Sequence, residues 1–353
     1  LFSAGYLWGY LPRAIGVGLV PLFLLGAERI VDPGRRKPGR SAGWYTAWTA
    51  VAGLMAAWIH PWQGETLLLI LLALAAWGRF ERRYRGFALP ALATAAPLVY
   101  YFALSRADNA WRHAAHETAL PHYAGWLLIA GLAPLAAFAV PGALRAARDF
   151  QDRVLVLWPL AGLAVYLAVP SLSSHGLNGL SLPLAVLAVR GFTRLRLPQV
   201  ATLAAVAALM LPGIVYVIRS ARPSGSGTPR FLSRDETRAL GSLASTGPPG
   251  PVLAPYELGT SVPAFTGRST WIGHAAWTPD WALRFARTNA LFYGRMPPAQ
   301  ARKLVRESGA SVVLSDCRSR DLAAIIGASV SRPRHFGCVA VYRVRRESTS
   351  VHG

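Results

Sequence analysis

The densest chemistry in the chain is His60-Pro61-Trp62-Gln63-Gly64-Glu65 (HPWQGE), a short turn between two apolar runs. An imidazole and a carboxylate bracket a Pro/Gly re-entry. Such a pair can hold a proton, help to hold a metal or shape the floor of a phosphate pocket. Ionisable groups at membrane depth are costly and usually have a role. A second polar stretch, Ser105–His122, carries Arg106, Asp108, Arg112, His113, His116, Glu117 and His122. A third holds His175 and Asn178. Solvated loops account for much of this polarity, because loops are wet with or without a site. The mixture of both charge signs with imidazoles, beside turns rich in Pro and Trp, leads us to expect one cavity. It would gather His60, Glu65, Arg106, Asp108, Arg112 and His175. Arg106 and Arg112 would meet phosphate, and His60 and Glu65 would shape the floor. We identify no cofactor, although acids beside imidazoles are compatible with a divalent metal.

Apolar segments must position these residues. They run over about Leu11–Ala27, Gly43–Ile59, Thr66–Trp77, Gly86–Leu104, Tyr123–Leu144, Val154–Val169, Leu180–Val189 and Pro198–Ile218. Eight spans are predicted, of which Thr66–Trp77 and Leu180–Val189 are short against the roughly 20 residues that a bilayer needs. Prolines inside them, such as Pro97, Pro134 and Pro159, are tolerated where neighbours satisfy the freed carbonyls. Arginines alternate between the connections. Arg29 to Arg40, Arg79 to Arg85, Arg145 to Arg153 and Arg190 to Arg196 fall on one side. The opposite connections hold only Arg106 and Arg112. The positive-inside rule makes the first set cytoplasmic, which places the tail after Ile218 outside a multi-pass plasma-membrane protein.

The composition agrees. The 353 residues are 53% hydrophobic and 15% charged, against roughly 25% charged in a soluble domain. Mean hydropathy is +0.33. This excludes a disordered chain, a disulfide-framework protein and an ordinary cytosolic enzyme. The formal net charge of +21 would suggest nucleic acid on a soluble protein. The arginine alternation accounts for much of it, so we predict membrane lipids as partners and no nucleic acid. The chain opens at Leu1 within an apolar, aromatic stretch, which we read as the interior of a longer protein.

Composition changes at Arg219. The predicted organisation is a transmembrane domain over 1–218, a Pro/Gly/Ser linker over 219–232 and a small α/β domain over 233–353. The fold class is therefore mainly α, a bundle of about eight spans followed by an extracytoplasmic α/β domain. In the tail we predict helices over Ser233–Leu243, Asp280–Tyr293, Pro297–Ser308 and Arg320–Ile326. Strands are predicted at Val252–Ala254, Ser311–Ser315 and Val339–Val344. Tyr256–Asp280 reads as a Gly- and aromatic-rich connection. It could line a binding surface, with Arg268 and His274 for an anion and Trp271 and Trp277 for a sugar face, or it could be a packed loop. Basic residues such as Arg284, Arg302 and Arg306 form a solvated face or meet anionic lipid. Cys317 follows one predicted strand and Cys338 opens another. Neighbouring strands would bring them within bridging range, and two buried thiols are the alternative. No phosphate-binding loop, nucleophile elbow, zinc helix or dinucleotide fingerprint is present.

Taken together, HPWQGE, Leu104–Trp111 (LSRADNAW), Ser181–Leu184 (SLPL), the tail run from Leu253 to Asp280, Leu291–Arg295 (LFYGR) and Ser311–Cys317 (SVVLSDC) carry a resemblance. The chain resembles the C-terminal part of bacterial integral-membrane glycosyltransferases of the GT-C superfamily, in the actinobacterial style in which Arg almost replaces Lys. The resemblance implies inverting transfer of a sugar from a polyprenyl-phosphate donor, on the outer face, to a glycan or other acceptor. It also implies an acidic catalytic motif in a first outer loop upstream of Leu1, so no residue here takes the role of catalytic base. A transporter or flippase would instead show two similar halves and ionisable groups at mid-membrane. Neither is visible. An envelope-assembly protein with an outer sensing domain is a third reading that the sequence leaves open.

The arginine alternation has a direct check. A C-terminal reporter that is active only in the cytoplasm should stay dark, and a periplasm-active one should report. The opposite pair of results would overturn the orientation.

Overall fold

The computed structural model describes residues 11–117, 122–143, 149–195, 198–221, 232–294 and 296–345. The chain divides into two compact units, Leu1–Arg222 and Pro223–Gly353. Residues 222–231 of the predicted linker lie outside the described residues, as do Arg145, Arg148, Arg196 and Arg295.

The first unit is helical: α1 Leu11–Val31, α2 Ala42–Ile59, α3 Pro61–Trp77, α4 Ala88–Ala107, α5 Asn109–Glu117, α6 Gly125–Ala143, α7 Phe150–Ala168, α8 Ser181–Leu195 and α9 Gln199–Ala221. Among the described residues, four stretches are long and apolar enough to cross a membrane: Ala14–Val31, Arg82–Ala107, Gly125–Ala143 and Phe150–Ala168. Pro61–Trp77 and Gln199–Leu211 are shorter apolar helices. The second polar connection is not irregular as expected. It contains α5, started by Asp108, whose Oδ1 accepts from the backbone of Ala110 at 2.8 Å and of Trp111 at 3.0 Å. A carboxylate at this position satisfies donors that a helix start leaves open.

Small residues set the helix contacts. A Cβ on Gly142 of α6 would lie 1.9 Å from the Leu187 carbonyl of α8, and one on Gly191 of α8 would lie 1.9 Å from the Phe138 carbonyl of α6. The two backbones therefore touch, as small-residue helix crossings allow. Gly64 of α3 lies similarly against Ala57 of α2, and Gly53 of α2 against Thr94 of α4. Phe23, Tyr45, Ile70, Trp158 and Tyr166 fill the main core.

The second unit layers helices on both faces of a four-stranded sheet. Its elements are α10 Arg234–Thr246, β1 Val252–Leu253, α11 Tyr256–Thr266, α12 Trp281–Phe292, α13 Pro298–Glu307, β2 Val312–Leu314, α14 Ala323–Ile326, β3 Arg334–Phe336 and β4 Val339–Arg343. The strand order is β1-β2-β4-β3. β1 runs parallel to β2, and β4 runs antiparallel to both of its neighbours. Alternation assigns the faces. Val252, Val312 and Leu314 pack with Leu240 of α10 and Leu258 of α11. Leu253, Val313 and Tyr342 pack with Phe292 of α12 and Leu304 of α13. A strand buried on both faces reads as an unbroken apolar run, which is why β2 was visible in sequence.

Two expectations change here. Tyr256–Asp280 is not one loop, since it contains α11. Gly259 and Pro263 hide the helical period. Gly259 is required because a Cβ would sit 2.3 Å from the Ile272 carbonyl. Gly267, at φ 66°, closes the helix with its N–H on the Pro263 carbonyl. β3 was missed because it is three residues long, polar and at the sheet edge. Cys317 and Cys338 form a disulfide with Cα atoms 4.8 Å apart, joining the turn after β2 to the β3–β4 hairpin. Asp235 Oδ2 accepts from the Cys338 backbone N–H at 3.2 Å.

The α6–α8 crossing predicts the cost of a single methyl group. Gly191→Ala must push backbone away from backbone, and we expect a loss of about 1–3 kcal/mol, typical of overpacking. Thermal unfolding of the detergent-solubilised protein should show it, whereas Gly18→Ala, with nothing within 4 Å of its Cβ position, should leave the transition in place.

Candidate functional site

HPWQGE forms a helix junction. His60 is the last cap of α2 and the first of α3, and Pro61 opens α3, where its missing N–H costs nothing. His60 donates its backbone N–H to Ala56 and accepts from Gln63, each at 2.9 Å. Gly16 of α1 backs it, since a Cβ there would lie 2.7 Å from His60 Cβ.

The connection between α7 and α8 docks on this junction. It holds a 3₁₀ turn over Ser173–Leu177, entered through Leu172 in the left-handed region at φ 47°. Trp62 donates its indole N–H to the Ser171 carbonyl at 3.0 Å, and Gln63 Nε2 donates to the Asn178 carbonyl at 3.1 Å. These bonds carry His175 onto His60. The two imidazoles stack with centroids 5.1 Å apart and planes 24° apart. Trp62 meets His175 edge-on at 4.3 Å. His60 is 2% exposed and His175 is 6% exposed. Gln63 Oε1, Glu65 Oε2 and Asn178 Nδ2 are buried without a hydrogen-bond partner among the described residues. Buried polar atoms are nearly always paired, so three exceptions within one junction need an explanation, and a polar ligand or ordered water supplies one.

The remaining predicted residues stand differently. Arg106, Asp108 and Arg112 are exposed. Asp108 caps α5. Arg112 donates to the Arg106 carbonyl at 2.5 Å and to Asn109 Oδ1 at 3.2 Å. The Arg106 guanidinium lies 4.9 Å from the centre of the Phe102 ring. This segment is linked to the end of α2 through Tyr101, whose hydroxyl donates to the Trp58 carbonyl at 2.8 Å. The structure thus joins His60 to His175 directly, with Glu65 one helical turn away, and gives the Arg106–Arg112 segment its own local bonds.

In the tail, Arg268 has a structural task. Its guanidinium donates to the carbonyls of Leu243 at 2.8 Å and Gly247 at 2.7 Å, and also to that of Pro248. It completes the C-terminal end of α10, where carbonyls lack helical partners. His274 is exposed, and its Nδ1 accepts from Ala276 N–H at 3.2 Å, capping a 3₁₀ turn. Among the described residues, the one group with metal-ligand proximity is Asp235, Cys317 and Cys338. Its sulfurs are bonded to each other, so it offers no thiolate.

A cluster that the sequence did not reveal lies beyond the ends of the parallel strands. Arg318 Nη2 is 3.2 Å from Glu257 Oε2 and 3.1 Å from Asp316 Oδ2. Asp316, 2% exposed, also accepts from the backbone N–H groups of Arg318 at 3.1 Å and Ser319 at 2.7 Å, and from Ser319 Oγ at 2.6 Å. Glu257 stands in the first turn of α11, as helix polarity favours. Tyr293 closes α12 beside them. Burial, together with the charges of Asp316 and Glu257, pushes its phenol above the usual range. The legible part of this signal is Asp316 just past a buried strand, with Ser319 spaced for an Asx turn. Its pairing to Glu257 is not visible in sequence.

No protein-family model and no curated protein matches this chain.

The buried Glu65 oxygen generates a prediction. An unpaired carboxylate oxygen costs stability. Glu65→Gln should therefore leave the unfolding transition unchanged or raise stability by about 0.5–2 kcal/mol, as substitutions that relieve a functional site commonly do. A clear fall would show that the carboxylate serves as a structural partner.

Proposed function

We propose that the protein is a multi-pass membrane glycosyltransferase that moves a sugar from a polyprenyl-phosphate donor to a glycan or other acceptor outside the cell. The observation that carries the reading is the junction of His60, Trp62, Glu65 and His175. It is a buried polar surface beside which atoms of Gln63, Glu65 and Asn178 lack a partner among the described residues, and its residues come from the two connections on the arginine-poor side in sequence. A lipid-linked donor reaches its enzyme sideways from the bilayer, so its reacting head group needs polar contacts near the membrane surface. The leaving phosphate gains charge as the sugar departs, and positioned cations or imidazole N–H groups stabilise that charge. In this reading His60 and His175 face the sugar-phosphate end, and Glu65 orients them or the sugar hydroxyls. Arg106 and Arg112, which have no carboxylate partner among the described residues, meet the phosphate. Asp108 holds α5 in place. We assign no catalytic base to this chain. The four apolar stretches support a membrane setting, and the resemblance of the quoted motifs supports the reaction class.

The test is transfer from labelled polyprenyl-phosphate sugars by the whole protein in membranes. His175→Ala should lower the rate by about 100-fold, the loss expected for one preorganised donor. The double substitution Arg106→Ala/Arg112→Ala should weaken apparent donor affinity by about tenfold or more. Full rates in both variants would remove the junction from the reaction.

A further inference from the structure

Three arginine-rich connections that stand apart in sequence converge on the end of α1. Arg36, in the first, donates to the carbonyls of Arg29 at 2.8 Å and Ile30 at 2.9 Å. Gly86, in the second, lies against Ile30, since a Cβ there would come within 2.4 Å of its side chain. Gln151, in the first turn of α7 after the third, donates to Glu28 Oε1 at 3.0 Å. Two residues on, the Arg153 guanidinium lies 5.5 Å from the centre of the Trp77 ring, at the end of α3. We propose that Trp77, Arg79, Phe80 and Arg153 form a binding site for an anionic phospholipid, with its phosphate on the arginines and an acyl chain along α3.

The backbone after Trp77 is built at a cost. Arg79 and Phe80 both take the left-handed conformation, at φ 50° and 54°. Bulky residues rarely adopt it, and such strain clusters where ligands are held. The Phe80 N–H is donated to the Ala75 carbonyl at 2.7 Å, which closes α3. The turn turns an aromatic ring outward and not into a core: Phe80 is 64% exposed and Trp77 is 42% exposed. Aromatic rings of this kind suit the head-group level of a bilayer.

The chemistry selects the lipid. Arg79, Arg82 and Arg85 are exposed and make no ion pair among the described residues. The acids at this end are already engaged. Glu28 and Asp32 face Arg35, and Glu81 faces Arg83. Asp149 caps α7, and Asp152 pairs with Arg190. Surplus guanidinium groups attract a phosphate diester, whereas a zwitterionic head group would bring its own ammonium against them. Leu69, Leu72 and Ala76 form an exposed apolar strip along α3 that runs into Trp77. An apolar strip leading from a cationic end fits a molecule with a charged head and a hydrocarbon tail, and an acidic protein would leave the strip unused. Basic pockets between spanning helices on the cytoplasmic side hold anionic head groups, and the arginine alternation predicts that side for this end.

This inference rests on the membrane setting of the proposed function and not on sugar transfer, so its test contains no sugar. The whole protein in detergent is stripped of lipid and titrated with phosphatidylglycerol, phosphatidylcholine, glycerol phosphate or polyglutamate. Native mass spectrometry reads binding, and thermal unfolding reads stabilisation. Phosphatidylglycerol should bind more tightly than phosphatidylcholine and raise the unfolding temperature. Arg79→Gln/Arg153→Gln should weaken its binding by about 25-fold, about fivefold for each basic residue. Phe80→Gly should weaken it too, while the lipid-free transition holds or rises, because glycine accepts the left-handed turn. Arg238→Gln, on α10, should change nothing. Equal binding of the two phospholipids, or phosphatidylglycerol binding that survives both variants, overturns the inference. Glycerol phosphate binding as tightly as the lipid would overturn it in favour of a free-phosphate site. Polyglutamate binding in place of lipid would overturn it in favour of a protein partner. Transfer without selective phospholipid binding sinks this inference alone, and phospholipid binding without transfer sinks the proposed function alone.

Discussion

Two hydrogen bonds hold the helical unit's candidate site together: Trp62 to the Ser171 carbonyl and Gln63 to the Asn178 carbonyl. Each joins a side chain of α3's first turn to a backbone carbonyl more than 100 residues later. They attach the α7–α8 connection to the start of α3, where His175 stacks on His60. The carbonyls are available because this connection is irregular, with Leu172 in the left-handed region. Such backbone conformations cost about 1–3 kcal/mol and persist where the surroundings demand them. Here the indole and the amide make that demand.

The tail unit solves a different problem with the same economy of contacts. β2 is three residues long, yet it separates two cores. Val312 and Leu314 serve one, and Val313 the other. Because β2 is so short, the chain that leaves it reaches the Asp316 turn at once. Five donors from Arg318 and Ser319 saturate one buried carboxylate there. That turn then presents Arg318 to Glu257. Packing of the strand thus fixes a charged pair at the edge of the sheet.

Much of this was legible from residue order. The eight apolar runs fall on helices because apolar length is a strong signal, although among the described residues four stretches meet the length and composition of a span. The buried strands β1, β2 and β4 were visible as unbroken or alternating apolar runs. HPWQGE stood out by residue type, and His60 and His175 do meet. What the sequence hid depends on three-dimensional context. Arg268 looked like an anion ligand because an arginine in a Gly-rich segment carries no mark of the carbonyls it will cap. α11 was masked by a glycine that only the path of Ile272 explains. The Arg318–Glu257 pair arises from two parallel strands ending side by side, a relation that neither segment encodes alone.

The contact of Gly142 with Leu187, and of Gly191 with Phe138, has a mechanical consequence. Where these glycines cross, no side chain separates the two backbones, so α6 and α8 have no soft layer there along which to shear. They behave as one stiff strut, and bending of either helix is shared by both. Any breathing of the helical unit must then open along seams padded by longer side chains. The seam between α2 and α4 is less able to do so, since Gly53 there faces the hydroxyl of Thr94 at close range. One such padded seam is that of α9, which packs Ala205, Val206 and Leu209 against the α6–α8 pair and leaves Val200, Leu203 and Met210 exposed.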